Sequence, residues 1–124
     1  MLAYATVGTN DLPRAAAFYD AVLAEVGGKR FMEQPDTFIA WGSSEQGAGL
    51  GVTRPFDKNP ATVGNGCMVA LQAGNREQVD RVYRKALELG GTDEGAPGQR
   101  SEGFYAAYFR DLDGNKINCC YMGP

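Results

Sequence analysis

The chain contains no histidine. That excludes His-based triads, an imidazole general base and imidazole metal ligation, and with them a large share of common hydrolytic and metalloenzyme sites. Cysteine is scarce: three in 124 residues, with Cys67 alone and Cys119 and Cys120 adjacent. An odd number with two neighbours makes no disulfide framework, and consecutive strand residues point to opposite faces, so Cys119 and Cys120 are not expected to bond to each other. Such usage suits a reducing compartment, with each thiol acting as a small buried hydrophobe. No apolar run approaches the roughly 18 residues of a membrane span. The opening Met1-Leu2-Ala3-Tyr4 enters a strand with no basic leader region. Positive charge is not in excess either. Twelve basic against fifteen acidic residues give a net charge of −3 and a pI near 4.9, which draws the chain to neither nucleic acid nor anionic membrane. The expectation is a cytoplasmic protein of one domain, residues 1–124, long enough to bury a core without staples.

What is present is a pattern that occurs twice. Leu2 to Thr9 reads as a strand, with Ala3, Ala5 and Val7 on one face and Tyr4 and Thr6 on the other. Asn10 is expected to cap a helix whose apolar positions are Leu12, Ala15, Ala16, Tyr19, Val22, Leu23 and Val26, and Gly27-Gly28 ends it. Strands are expected at Lys29–Glu33, Thr37–Trp41 and Gly49–Arg54, then a connector from Phe56 to Gly66. Cys67 to Ala73 is the next strand. Asn75 caps a second helix, with Gln78 close to a capping box, Val79, Val82, Tyr83, Ala86, Leu87 and Leu89 on its buried face, and Gly90-Gly91 at its end. A short strand near Thr92–Gly95, a loop through Glu102 and a last hairpin from Phe104 to Met122 complete the chain. Each half reads strand, helix, strand, strand, strand, and internal repetition constrains a whole fold. The fold class is α+β: two βαβββ modules, about 1–56 and 66–122, forming a curved mixed sheet with helices outside and a cup inside. A ferredoxin-like sandwich is the alternative, and four strands per helix argue against it.

The last hairpin turns at Asp111-Leu112-Asp113-Gly114-Asn115. Calcium is not supported there, because an EF-hand loop needs Gly sixth and Glu twelfth, and here Gly is fourth and the twelfth residue is Met122. Phe-Arg-Asp-Leu-Asp-Gly-Asn-Lys-Ile instead resembles the Asp-Pro-Asp-Gly-Asn-x-hydrophobic signature of the vicinal oxygen chelate superfamily, which includes glyoxalase I, bleomycin-resistance proteins and extradiol dioxygenases. The opening Val7-Gly8-Thr9-Asn10-Asp11-Leu12-Pro13 through Phe18-Tyr19 is similar to that family's first strand and helix. Arg54-Pro55-Phe56-Asp57, Asn65-Gly66 and Gly90-Gly91-Thr92 resemble a bacterial glyoxalase-like branch. The resemblance implies the cup fold, a homodimer and, in active members, a divalent metal held by His and Glu from equivalent strands.

On that resemblance the first-strand ligand matches Tyr4, the ligand opening the second module matches Met68, the last-strand ligand matches Asn118, and the fourth-strand ligand falls near Leu50–Val52. A neutral phenol, a thioether and a carboxamide are poor ligands for such an ion, so no metal and no cofactor is expected. Met68 with Cys120 is too small a set for a soft metal. Strand parity sets Thr6 beside Tyr4, Ala70 and Gln72 beside Met68, and Cys120 beside Asn118. With Asp113-Gly114 as a two-residue turn, Tyr105, Ala107 and Phe109 share the face of Asn118. This wall of aromatic, apolar and a few polar groups suits a small organic molecule; the competing expectation is that the cup is packed shut. Three functions follow: a metal-free small-molecule binder; a glyoxalase-like lyase or isomerase with a non-standard metal site or a metal-free mechanism, using Tyr4, Tyr105, Glu33 or Glu102 as acid or base; and a non-catalytic structural or partner-binding protein.

Overall fold

The computed structural model describes residues 1–44 and 46–124. The first half runs β1 (Tyr4–Gly8), α1 (Leu12–Ala24), β2 (Lys29–Gln34), β3 (Phe38–Gly42) and β4 (Gly49–Thr53). The second runs β5 (Val69–Gln72), α2 (Arg76–Glu88), β6 (Thr92–Ser101), β7 (Phe104–Arg110) and β8 (Lys116–Met122). Sheet 1 has the order β1-β4-β3-β2 and sheet 2 the order β5-β8-β7-β6. In each, the first strand lies parallel to the fourth and the other pairs are antiparallel. The α+β class and the doubled βαβββ order are therefore as the sequence pattern implies, and both sheets are open.

The helices end alike. Gly27 and Gly90 take positive φ, and the next N–H reaches back, from Gly28 to Leu23 O and from Gly91 to Ala86 O, at 2.8 Å each. Only glycine adopts that conformation without a steric cost. At the other end, Asn75 accepts from Gln78 N, while Gln78 Oε1 accepts from Gly74 N, which closes the box around the start of α2. The cap of α1 is Asp11 rather than Asn10: Asp11 accepts from Arg14 N at 3.1 Å. Asn10 is drawn off to Ala61 on the connector, accepting from its N and donating to its O.

One apolar core serves both halves. It runs from Leu12, Phe18, Tyr19 and Val22 of α1 to Val52, Val79, Val82, Phe109 and Ile117, with the Phe18 and Phe109 rings 6.5 Å apart. Burying side chains of this size contributes about 1.5–3 kcal/mol each.

The Asp-rich turn has a structural task. Buried Asp111 accepts from Tyr19 Oη at 2.5 Å and from the backbone N–H groups of Asp113 and Asn115. Asp113 accepts from Thr9 Oγ1 at 2.6 Å and Asn10 N at 3.0 Å, and Asn115 Nδ2 donates to Gly8 O. The last hairpin thus clasps the end of β1 and the start of α1, joining the modules through charge-assisted hydrogen bonds.

β6 is longer than the expected Thr92–Gly95. It pairs with β7 as far as Ser101, with register shifts between Asp93 and Gly95, between Gly95 and Gly98, where Pro97 lies, and between Gln99 and Ser101. As the outer strand of its sheet it tolerates a proline and bulges that a central strand would not. No helix among the described residues is long and apolar enough to cross a membrane.

Candidate functional site

Each sheet turns one face to its helix and leaves the other open. On sheet 1 the open face carries Tyr4 and Thr6 from β1. On β4 it carries Gly49 and Gly51, whose register partners are Tyr4 and Thr6. Those glycines make room for rings. A Cβ on Gly51 would stand 2.7 Å from Phe38 Cε2, and one on Gly49 would stand 3.1 Å from Phe31 Cε1. Phe38 also meets Tyr4 edge to face, with centroids 6.4 Å apart. Such T-shaped pairs add about 0.5–1.5 kcal/mol beyond their burial.

On sheet 2 the open face carries Met68 at the entry to β5, then Ala70 and Gln72, which lie beside Asn118 and Cys120 of β8. The register of the hairpin differs by one residue from a two-residue turn at Asp113-Gly114. Asp111 N bonds Asn115 O, Gly114 takes a φ of 90°, and Tyr108 stands opposite Asn118. This is a three-residue loop with a left-handed glycine, and a one-residue slip moves every side chain to the other face. Tyr105, Ala107 and Phe109 therefore leave the expected pocket. Ala107 and Phe109 are fully buried in the core under α2, and Tyr105 Oη donates to Asp80 at 2.7 Å on that helix. Ala106 and Tyr108 hold the places expected of them. Tyr108 lies between Arg100 and Lys116, each 5.5 Å from its ring centroid.

Of the remaining expected residues, Thr6 and Met68 share a cavity of ≈ 230 Å³ with Lys116 and Cys67. Met68, Ala70 and Gln72 also line a second cavity of ≈ 550 Å³ beside Val26 and Leu50. Asn118 is 1% exposed, and its Nδ2 donates to Ala107 O at 3.0 Å. Cys120 is buried beneath the same face, and burial raises its thiol pKa. The proposed acid–base groups are poorly placed. Glu33 is tied to Arg30 and pairs with Ile39, whose side chain faces the core. Tyr105 is bound to Asp80, and that hydrogen bond raises its phenol pKa. Glu102 is exposed in the turn between β6 and β7.

Residues 1–119 match the family described as the Glyoxalase/Bleomycin resistance protein/Dioxygenase superfamily. The chain belongs to that superfamily. A glyoxalase/bleomycin resistance protein from Albidiferax ferrireducens T118 is 35% identical, with a TM-score of 0.91 over 99% of each chain. A lactoylglutathione lyase from Agrobacterium tumefaciens shares the fold at 21% identity and a TM-score of 0.71, covering 97% of this chain and 92% of that one. TioX from Micromonospora sp. ML1 does so at 16% identity and a TM-score of 0.70, covering 99% of both. No functionally curated protein matches the sequence.

The superfamily's divalent metal does not fit the side chains at its positions. Tyr4 is a neutral phenol that is 58% exposed, and Met68 is a thioether that is 45% exposed. The fourth-strand position on the open face is Gly51, covered by the Phe38 ring. Asn118 offers only the neutral oxygen of a carboxamide, whose Nδ2 donates to Ala107 O. None brings the charge or imidazole nitrogen that a hard or borderline cation requires. Among the described residues, no three His, Cys, Asp or Glu side chains gather closely enough to hold an ion.

The sequence reading missed Phe31, Phe38, Tyr108 and Lys116 on the open faces. The alternating glycines Gly49 and Gly51 in β4 were the available signal, since glycine inside a strand marks a close approach by another group.

Proposed function

We propose that this superfamily member binds a small organic molecule against the open faces of its sheets, without a metal ion of its own. The observation that carries the reading is the pairing of a ligand-poor donor set with exposed rings. Tyr4, Gly51, Met68 and Asn118 stand at the metal positions, while Tyr4, Phe31 and Phe38 leave an apolar surface beside Thr6 and Lys116. Apolar walls with a few polar tips are what organic ligands recognise. A homodimer belongs to the same proposal, supported by the apolar side chains exposed on sheet 1, which a second copy would shelter. Cytoplasmic residence is supported by the three free thiols.

The test is the metal content of untagged protein, followed by metal-supplemented turnover of hemithioacetal substrates. The proposal expects no stoichiometric divalent metal, no turnover, and thermal stabilisation by members of a small-molecule library. Stoichiometric metal with turnover that a chelator abolishes would replace it with a glyoxalase-like lyase or isomerase. Light scattering reads the stoichiometry of the assembly.

A further inference from the structure

A separate hollow opens at the end of sheet 1 where β3 begins and β4 ends. Its volume is ≈ 790 Å³, and Phe38, Thr53, Arg54, Phe56, Lys58 and Asn59 are among the residues that line it. This size falls within the range of cavities that hold drug-sized ligands, about 300–1,000 Å³. No carboxylate lines it. Among the described residues, neither Arg54 nor Lys58 takes part in an ion pair, although five of the chain's other cations do. The hollow thus presents two cations that no carboxylate pairs with among the described residues.

It also contains two rings in different settings. The tip of the Phe38 ring rests on Gly51 at the floor, half-buried. Phe56 stands on the rim with its side chain fully exposed. A free-standing phenyl in water gains nothing from folding and gains by covering an apolar ligand.

The wall is held in place. Asn10 bonds both backbone groups of Ala61 at its far end, and the Thr37 carbonyl accepts from Arg54 N at 2.8 Å at its near end. Between them Asp57 accepts from Asn59, and Lys58 is kept at a φ of 66° by its N–H bond to Pro55 O. Left-handed backbone at a residue other than glycine is uncommon, and here it sets the lysine on the rim of the hollow.

We infer that this hollow is a binding site for a planar aromatic carboxylate, its ring between Phe38 and Phe56 and its carboxylate on Arg54 and Lys58. The inference rests on the small-molecule reading above and gives it a ligand class and a location at the end of sheet 1, reaching the Phe38 ring that covers Gly51. Arginine meets a carboxylate through two parallel N–H groups, and lysine adds a point charge. The Thr53 hydroxyl already donates to Arg54 O and the Asn59 amide nitrogen to Asp57, so their oxygens remain as acceptors for a donor on the ring.

Calorimetric titration of the whole chain with 2-naphthoate tests this, with 2-naphthamide as the neutral control. Naphthoate is expected to bind one per chain, and naphthamide about a hundredfold weaker, since both charge-assisted contacts are lost. Arg54→Gln and Lys58→Gln should each weaken naphthoate by about tenfold without changing naphthamide. Phe56→Ala should weaken both probes. All three are exposed positions, so circular dichroism and melting should match the parent. Arg84→Gln, an exposed cation on α2 outside the hollow's lining, should leave naphthoate binding intact. Binding that survives both charge variants would overturn this site while sparing the small-molecule reading. Equal binding of naphthoate and naphthamide, or none of either at millimolar concentration, would overturn it as well. Failure of a whole small-molecule library to stabilise the chain would overturn both readings.

Discussion

Sheets 1 and 2 have the same strand order, one helix each and the same Gly-Gly stop, yet their open faces are built in opposite ways. On sheet 1, Gly42, Gly49 and Gly51 form a floor on which the Phe31 and Phe38 rings rest, and Phe31 remains 61% exposed. On sheet 2 the corresponding face is closed by small side chains: Ala106, Asn118 and Cys120 are all buried, and Asn118 Nδ2 donates within the sheet to Ala107 O. The helix-facing sides show no such contrast. Leu50 and Val52 on one, and Ile117, Cys119 and Phe109 on the other, are buried in a single core. Packing against a helix restricts a face to close-fitting apolar groups. The outer face is free of that demand, so it is there that two copies of one plan diverge and that binding chemistry has room to develop.

The largest effect should come from the two sides of β7. Phe109→Ala removes a fully buried ring from the core and should cost about 3–5 kcal/mol in urea unfolding. Tyr108→Ala, one residue away on the open face, should cost only about 1 kcal/mol, the worth of its contacts with Arg100 and Lys116. The reverse ranking would mean that the hairpin has the other register and that Phe109 belongs to the cup.

That register shows where sequence reading stops. Helix faces were legible because Val79, Val82 and Ala86 recur at helical spacing, and the doubled βαβββ order was legible because each helix is followed by Gly-Gly. Asp113-Gly114 looked like a two-residue turn because its residue types allow one. Its true length depends on Asp111, whose carboxylate gathers two turn N–H groups and the Tyr19 phenol from 92 positions earlier. A contact at that separation leaves no local pattern. The open-face positions of Tyr4, Thr6, Met68, Ala70, Gln72, Asn118 and Cys120 followed from strand parity alone. The hollow at Arg54–Pro60 did not, because it exists only when Asn10 pins the connector at Ala61.

The clasp between modules supplies the next test. Tyr19→Phe leaves the buried Asp111 carboxylate short of a donor and should cost about 1–3 kcal/mol near neutral pH. Burial, then the charge of Asp111, holds the Tyr19 phenol pKa well above its ordinary value. A phenol whose pKa is raised by folding stabilises below its unfolded value and loses that contribution as pH climbs past about 10. The Cys119 thiol follows the same sign: burial pushes it up to about 12, so its loss begins near pH 9. Parent protein should therefore weaken steeply above pH 9, and Tyr19→Phe with Cys119→Ala should flatten that limb. An unchanged slope in the double variant would place the alkaline sensitivity elsewhere.

Gly51→Ala probes the ring floor of sheet 1. Its Cβ would meet the tip of the Phe38 ring, which can swing aside, so the cost should be modest at about 1 kcal/mol. Binding is the more telling readout: displacing Phe38 should weaken 2-naphthoate, whereas Ala70→Gly on sheet 2 should not. Equal effects of the two changes would remove the distinction between the faces.

The smallest effect, a count of accessible thiols, bears directly on whether sheet 2 is shut. Cys67 is exposed in the connector, while Cys119 and Cys120 are buried, one under α2 and one on the open face. A thiol must reach its reagent as a thiolate, and burial raises the pKa of both Cys119 and Cys120 against that. Ellman's reagent at pH 8 should thus react with one thiol per chain promptly and with the other two only on unfolding. Cys67→Ser should abolish the prompt reaction. If a prompt thiol remains in that variant, Cys120 is reachable from the open face, and sheet 2 then has an accessible recess of its own beside Asn118 and Gln72.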